Sequence, residues 1–120
     1  MRLVTTKTEK TIEQRVSAEI RRLNKTFKGL DKNKLQVVKS LIQNVAFMSI
    51  SLEELQVKIN AEGFTEEYQN GEHQKGRKQS DFVKIHIAMT RNHTLAMKQL
   101  SDLAPTAENF YDELQALRDE

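Results

Sequence analysis

The fold is decided by residues 38–59, VKSLIQNVAFMSISLEELQVKI, in which apolar residues recur at alternating steps of three and four. This spacing is typical of a long α-helix packed side by side with other helices. With Asp31 as N-cap and Gly63 as stop signal, the predicted helix ends near Glu62 and is roughly 45 Å long at ~1.5 Å per residue. The apolar positions, called the seam, are Val38, Leu41, Val45, Met48, Leu52, Leu55 and Ile59.

A second apolar strip lies beside the seam on the same predicted helix. It consists of Leu35, Val37, Ile42, Phe47 and Ile50. An ordinary intramolecular core accounts for the seam but leaves the second strip without cover. The sequence therefore predicts an oligomer, with the seam residues at the interface between subunits.

A polar segment follows at residues 68–80, with the sequence YQNGEHQKGRKQS. Gly71 and Gly76 allow backbone angles closed to other residues, and no apolar side chain after Tyr68 holds the segment to a core. Asn70-Gly71 is typical of hairpin turns, but the flanking residues lack the period-two pattern of strands. We expect an exposed turn or mobile loop that joins two helices.

Helical spacing also runs through the segments on either side. The N-terminal helix is expected after Thr8 and should end near Lys28. A third helix is expected after an N-cap at Ser80 or Asp81, and Pro105 stops it. A short acidic helix then follows, with apolar residues at Phe110, Tyr111, Leu114 and Leu117.

The predicted fold class is all-α, with a long antiparallel helical hairpin at its centre and an oligomeric state. A basic N-terminal helix flanks this hairpin at residues 1–30. Residues 31–104 form the hairpin core with its glycine-containing basic loop at 68–80, and residues 105–120 form the acidic C-terminal helix or tail.

The net charge of +2 conceals a segregation along the chain. Residues 1–34 sum to +6, residues 35–67 to −3, residues 68–100 to +4 and residues 101–120 to −5. Alternating blocks of this kind suit either nucleic-acid binding or contacts between subunits.

Composition also limits the compartment and the kinds of site. The chain has no cysteine, which excludes disulfides and thiolate metal sites. Charges interrupt the apolar runs and the N-terminus lacks an apolar signal segment, so we expect a cytoplasmic protein without a membrane partner.

Candidate catalytic and metal sites fail on spacing. Residues 71–78 resemble a phosphate-binding P-loop only superficially, because that motif needs Lys and then Ser or Thr after its last glycine, whereas Arg77 follows Gly76. His86 and His93 are seven residues apart, whereas metal pairs on a helix need three or four. We therefore expect His93 to be a partly buried packing residue and His86 to be a surface or interface residue. We expect no enzyme activity, no cofactor and no metal.

Basic residues are the remaining functional feature. One face of the N-terminal helix and the loop at 68–80 present cations able to neutralise phosphates. A solvated helix face explains the first group equally well, and the pattern lacks the aromatic residues or recognition helix of sequence-specific readers. The predicted DNA-binding residues are Arg15, Arg21, Arg22, Lys25, Lys28, Lys75, Arg77 and Lys78.

The residues around the loop resemble a known family. They read EYQNGE at 67–72, then QKGRK at 74–78 and Ser80, between two helical patterns. Over residues 34–105 the chain resembles the small terminase subunits of tailed bacteriophages. One departure is Asp81, where many relatives have proline, and it affects only the capping of the third helix.

The resemblance implies a non-catalytic partner of the phage DNA-packaging motor. Such proteins bind the viral genome, assemble as homo-oligomeric rings and recruit or regulate a large subunit that carries ATPase and nuclease activities. The implied partners are therefore double-stranded viral DNA, a large terminase subunit and further copies of this chain, in the cytoplasm of a bacterial host. The residues leave an alternative open, which is a structural helical adaptor or oligomerisation module without DNA binding.

Overall fold

The computed structural model describes residues 9–104, which form three helices and a two-stranded sheet. Helix α1 is Ile12–Thr26, α2 is Lys32–Glu62 and α3 is Asp81–Leu103. Strands β1, Thr65–Gln69, and β2, Lys75–Gln79, lie between α2 and α3. The mostly helical prediction is confirmed, while the predicted C-terminal helix at 105–120 lies outside the described residues.

The helix ends follow local sequence signals. Thr11 and Gln14 form a capping box at the start of α1, each side chain accepting a hydrogen bond from the other residue's backbone N–H. Asp31 caps α2, as predicted, by accepting a hydrogen bond from the backbone of its first turn. Gly63 ends α2 with a φ of 87°, and Ser80 is the residue that caps α3.

One core lies where the three helices meet. Leu23 comes from α1, Phe27 directly follows α1, and Leu100 comes from α3. Ile50 and Ile59 are buried farther along α2. The core residues of α2, none more than 1% exposed, are Val38, Ile42, Val45 and Ala46.

Contacts join α2 and α3 at three places along their lengths. Near the end of α2, the Lys58 Nζ lies 5.8 Å from the ring centroid of Phe82 at the start of α3. In the middle of both helices, Ser49 Oγ is hydrogen-bonded to His93 Nε2 at 2.8 Å. Leu100, near the end of α3, reaches the core built on the first turns of α2. As the chain advances along α3, its contacts therefore move back along α2.

Residues 65–79, which overlap the segment predicted as a loop, form an antiparallel β-hairpin. The two strands pair in register from Thr65 opposite Gln79 inward. The Asn70 N–H donates to the Gln74 carbonyl at 2.7 Å, which closes a turn where Gly71 has a φ of 91°. The predicted exposure is confirmed for most of residues 68–79, whereas Ser80 is buried at 3% exposed. The all-α class is corrected to three helices and a small sheet. Within residues 9–104 no helix covers either face of the hairpin, and its strands lack the apolar alternation that marks half-buried strands.

Helix α2 is long and apolar enough, by length and composition alone, to cross a membrane. No charged residue occurs between Lys39 and Glu53, so the exclusion of a span by interrupting charges does not hold for this helix. The core helix of a soluble protein passes the same test, and α2 supplies four core residues here. Only 28% of its most apolar window is buried, so much apolar surface faces outward.

Candidate nucleic-acid interface

The eight predicted DNA-binding residues lie on two separate elements. Five are on α1 or in the turn after it, and three are on β2. Among the described residues, no hydrogen bond or ion pair joins one group to the other. The chain thus carries two predicted basic surfaces, and their surroundings differ.

Arg15 connects α1 to α2. Its guanidinium forms ion pairs with Glu53 and Glu54, and its side chain is 28% exposed. Hydrogen bonding to Glu54, and then to Glu53, raises the pKa of Arg15 above its ordinary value. Because two carboxylates already neutralise it, Arg15 serves the contact between helices better than it serves phosphate binding.

Three other cations of this group form an exposed stripe. Arg21 and Lys25 are four residues apart and share one side of α1, and Lys28 is exposed in the turn that follows. Within residues 9–104 none of the three forms an ion pair, whereas Arg22 pairs with Glu19, which raises the pKa of Arg22. Arg21, Lys25 and Lys28, called the α1 stripe, are therefore the cations of α1 best placed to contact phosphates.

The cations of β2 face carboxylates on β1. Strand pairing places Lys78 opposite Glu66 and Arg77 opposite Glu67. The Lys78 Nζ lies 3.3 Å from Glu66 and 3.6 Å from Asp81, and Arg77 lies 3.7 Å from Glu67. Hydrogen bonding to Glu66, followed by the charge of Asp81, raises the pKa of Lys78. The two strands and their turn contain three basic and three acidic residues, so the predicted basic loop is a hairpin without net charge.

Arg77 also braces the open end of the hairpin. Its Nε donates to Thr65 Oγ1 at 3.0 Å, and its Nη2 donates to the Thr65 carbonyl at 3.1 Å. Lys75 differs, because it forms no ion pair with any residue that the structure describes. Strand β2 therefore leaves one unpaired cation for an anionic partner.

The two glycines of the hairpin have different roles. Gly71 lies in the turn, where its positive φ favours glycine and open space surrounds the position of a Cβ. Gly76 lies opposite Tyr68, whose ring covers it. A Cβ at position 76 would lie 2.8 Å from the Tyr68 hydroxyl oxygen and 2.9 Å from ring carbons. Gly76 is thus required by packing rather than by backbone conformation.

Replacing Gly76 with alanine is expected to loosen the hairpin without unfolding the helices. The added Cβ displaces the Tyr68 ring, which should destabilise the hairpin by about 1 kcal/mol, or about fivefold in its opening equilibrium. Amide hydrogen exchange in β1 and β2 measures this change. In a Tyr68→Ala background the same substitution should have little effect, and an equal effect in both backgrounds would contradict the contact.

A further group of cations escaped the sequence-based prediction. Lys84, Arg91 and Lys98 are exposed on α3 at steps of seven, and residues 82–101 contain no acidic residue. Residues 32–52 of α2 likewise contain three lysines and no acidic residue. The spacing of seven was the available signal, since residues seven apart share a helix face. Lys84, Arg91 and Lys98 are called the α3 stripe.

The seam predicted as an oligomer interface is largely taken by packing within the chain. Val38 and Val45 are 1% exposed and belong to the core, and Ile59 is 6% exposed. The remaining four are partly buried: Leu41, Met48, Leu52 and Leu55.

Exposed apolar side chains lie beside the seam. In the second strip, Ile42 and Ile50 are buried, whereas Leu35, Val37 and Phe47 are exposed. Three of its five members thus remain available to a partner. The other exposed large apolar side chains are Ile12, Val57, Phe64, Tyr68, Ile85, Ile87, Leu95 and Met97.

Two of the histidines, His86 and His93, have polar neighbours within the described part of the chain. The prediction of a packing role is confirmed for His93, which is half-buried and bonded to Ser49. His86 Nδ1 lies 3.5 Å from Thr90 Oγ1 on the same helix. Within residues 9–104, no cluster of three or more histidine, aspartate or glutamate side chains could hold a metal ion.

Comparison of the chain with protein-family models, with curated proteins and with solved structures finds no match. The features of this chain that bear on its function are its exposed cations, its fold and the family resemblance carried by residues 67–80.

Proposed function

We propose that this chain is a small terminase subunit of a tailed phage or prophage. It is a non-catalytic oligomer that binds double-stranded viral DNA and recruits or regulates the large subunit with ATPase and nuclease activities. In this proposal the subunits form a ring, and the ring works in the cytoplasm of the bacterial host.

The end of α2 contacts the start of α3, and this order of contacts supports an antiparallel helical hairpin as the centre of each subunit. Lys58 lies by Phe82, and Ser49 lies by His93, so the two helices approach each other along much of their length. The β-hairpin between them holds the segment that carries the family resemblance. In this proposal the helical pair is the scaffold, and the β-hairpin is an exposed projection from it.

The observation that carries the DNA-binding proposal is the α1 stripe. Arg21 and Lys25 share one side of α1 and Lys28 follows in the next turn; all three are exposed and lack carboxylate partners among residues 9–104. Cations in this state can release the counterions of DNA, whereas a cation held by a carboxylate contributes less. In the present proposal Lys75 adds a weaker contact from the β-hairpin.

Exposed apolar residues support the oligomeric part of the proposal. Outside the groove described below, Leu35 is 40% and Val37 is 55% exposed on α2, while Ile85 and Met97 are 47% and 39% exposed on α3. A small soluble chain with this much outward apolar surface is expected to cover part of it with another copy.

One observation favours the second candidate, a helical adaptor without DNA binding. Glu66 and Glu67 balance the cations opposite them on β2, and the hairpin has no net charge. Charges arranged in this way serve folding and subunit contacts without any nucleic acid.

Native mass spectrometry combined with a gel shift on double-stranded DNA separates the two candidates. The small terminase proposal predicts a mass equal to several copies of the chain and a DNA shift that weakens as salt increases. An oligomer that ignores DNA favours the adaptor. A monomer that ignores DNA contradicts both.

A further inference from the structure

An open groove with apolar walls runs between α2 and α3. Phe47 on one wall is 56% exposed, and Leu95 on the other is 57% exposed, although both are large apolar side chains. The groove is lined by Leu41, Asn44, Phe47, Met48, Asn92, Leu95, Ala96 and Gln99. A groove of this kind is suited to the apolar face of an amphipathic helix.

We propose that the groove is the docking site for residues 105–120 of the same chain. Within this segment, Phe110, Leu114 and Leu117 recur at steps of four and three, which places them on one side of a helix. Tyr111 lies at the edge of the same side. The segment thus has the pattern of a short amphipathic helix whose apolar side matches the groove in chemistry.

The charges of the groove and of the segment are complementary. Residues 105–120 contain five acidic residues and one arginine, a net charge of −4. Residues 32–52 and 82–101, which supply both walls, contain six basic residues and no acidic residue. Arg91 and Lys98 of the α3 stripe directly neighbour the lining residues in sequence. Attraction between these charges favours this acidic segment over a basic peptide.

The length and starting point of the segment also fit. Helix α3 ends at Leu103, only a few residues after Gln99 of the groove. Pro105 cannot continue α3, so the chain can turn back there. Residues 107–118 in helical form would span about 18 Å, and the α3 wall from Asn92 to Gln99 spans about 10 Å at ~1.5 Å per residue. The segment can therefore reach along the groove of its own chain.

Amide hydrogen exchange on the full-length chain tests this docking. The proposal predicts that amides of residues 107–118 exchange at least about tenfold more slowly than in an unstructured peptide. Leu95→Asp should remove this protection, because it places a charge in the groove. Ile87→Asp is the matched control, since Ile87 is a similarly exposed aliphatic residue of α3 outside the groove lining. Protection that is absent in the wild type, or that Leu95→Asp leaves unchanged, overturns the proposal.

A spin label distinguishes docking within one chain from docking between copies. This experiment does not use Leu95→Asp, so it remains informative if that variant fails to fold. The chain has no cysteine, so Ser40→Cys gives a single labelling site at an exposed position one turn before Asn44. In the first sample, chains that carry both the spin label and ¹⁵N are diluted with unlabelled chains. In the second sample, spin-labelled chains without ¹⁵N are mixed with ¹⁵N-enriched chains that carry no spin label. Signal broadening of residues 107–118 in the first sample supports docking within the chain. Broadening only in the second sample, or in neither, overturns it.

This inference is independent of DNA binding by the α1 stripe. If the groove stays empty while DNA still binds, only the docking proposal fails. If the segment docks but DNA does not bind, only the DNA-binding proposal fails.

Discussion

Replacing Ile42 with alanine is expected to lower the free energy of unfolding by about 3 kcal/mol. Ile42 is 1% exposed and packs in the core with Leu23 of α1, with Phe27 directly after α1 and with Leu100 of α3. The substitution removes buried methyl and methylene groups where three helices meet, so the cavity cannot close by moving one side chain. Urea unfolding followed by circular dichroism measures the change.

Ile87→Ala is the matched control for this prediction. Ile87 lies on α3 and is 49% exposed, so the same atoms are removed from a site that already contacts solvent. We expect a change within about 0.5 kcal/mol, because alanine's higher helix propensity offsets the small loss of apolar contact. Equal losses at both positions would show that the core is not centred on the first half of α2.

Neutralising the α1 stripe with Arg21→Gln, Lys25→Gln and Lys28→Gln is expected to weaken binding to double-stranded DNA by about tenfold or more at low salt. Glutamine removes the charge but is compatible with a helix. If each cation meets one phosphate, the slope of log K against log salt should become less steep by about 2.7, from ~0.9 per contact. Fluorescence anisotropy with a labelled duplex measures both quantities.

The matched control removes three charges that already have partners. Arg22, Arg77 and Lys78 each lie within ion-pair distance of a carboxylate in the same chain. Arg22→Gln, Arg77→Gln and Lys78→Gln together change the net charge as much as the stripe variant does. We expect less than half of its effect on the slope, because these cations are already neutralised locally. Equal slopes for the two triple variants would show that net charge, rather than the α1 stripe, governs binding.

The helical part of the fold was predictable because its signals are local. The seam of α2 repeats over three heptads, and Asp31 and Gly63 mark its two ends. For α3, Ser80 was one of two predicted caps and is the one used. These signals need only neighbouring residues in the chain, so no knowledge of the tertiary contacts is required.

The β-hairpin was not predicted because its strands are exposed on both faces. The five residues from Thr65 to Gln69 carry no apolar side chain except Tyr68, so the period-two signal is missing. Strand pairing, charge pairs such as Lys78 with Glu66, and the Tyr68 ring over Gly76 are the contacts seen here. The one signal of the hairpin that was visible in the sequence is the turn dipeptide Asn70-Gly71.

The candidate site was predictable as a list of cations but not as a surface. Arg15 and its partner Glu54 are 39 residues apart, so no local pattern reveals that this charge is already neutralised. Lys78 and Glu66 meet only through the register of the hairpin. Of the predicted DNA-binding cations, only the α1 stripe and Lys75 have no carboxylate partner within residues 9–104. The exposed cations of the α3 stripe were missed, although their spacing of seven was present in the sequence.

The most direct test of the central claim is the salt dependence of DNA binding by the wild-type chain. Binding to a duplex is followed by anisotropy between about 50 and 200 mM salt. If the chain binds DNA through the α1 stripe, we expect a slope of log K against log salt of about −2.7 or steeper. No binding at low salt, or a slope near zero, would contradict the assignment and favour an adaptor that does not bind DNA.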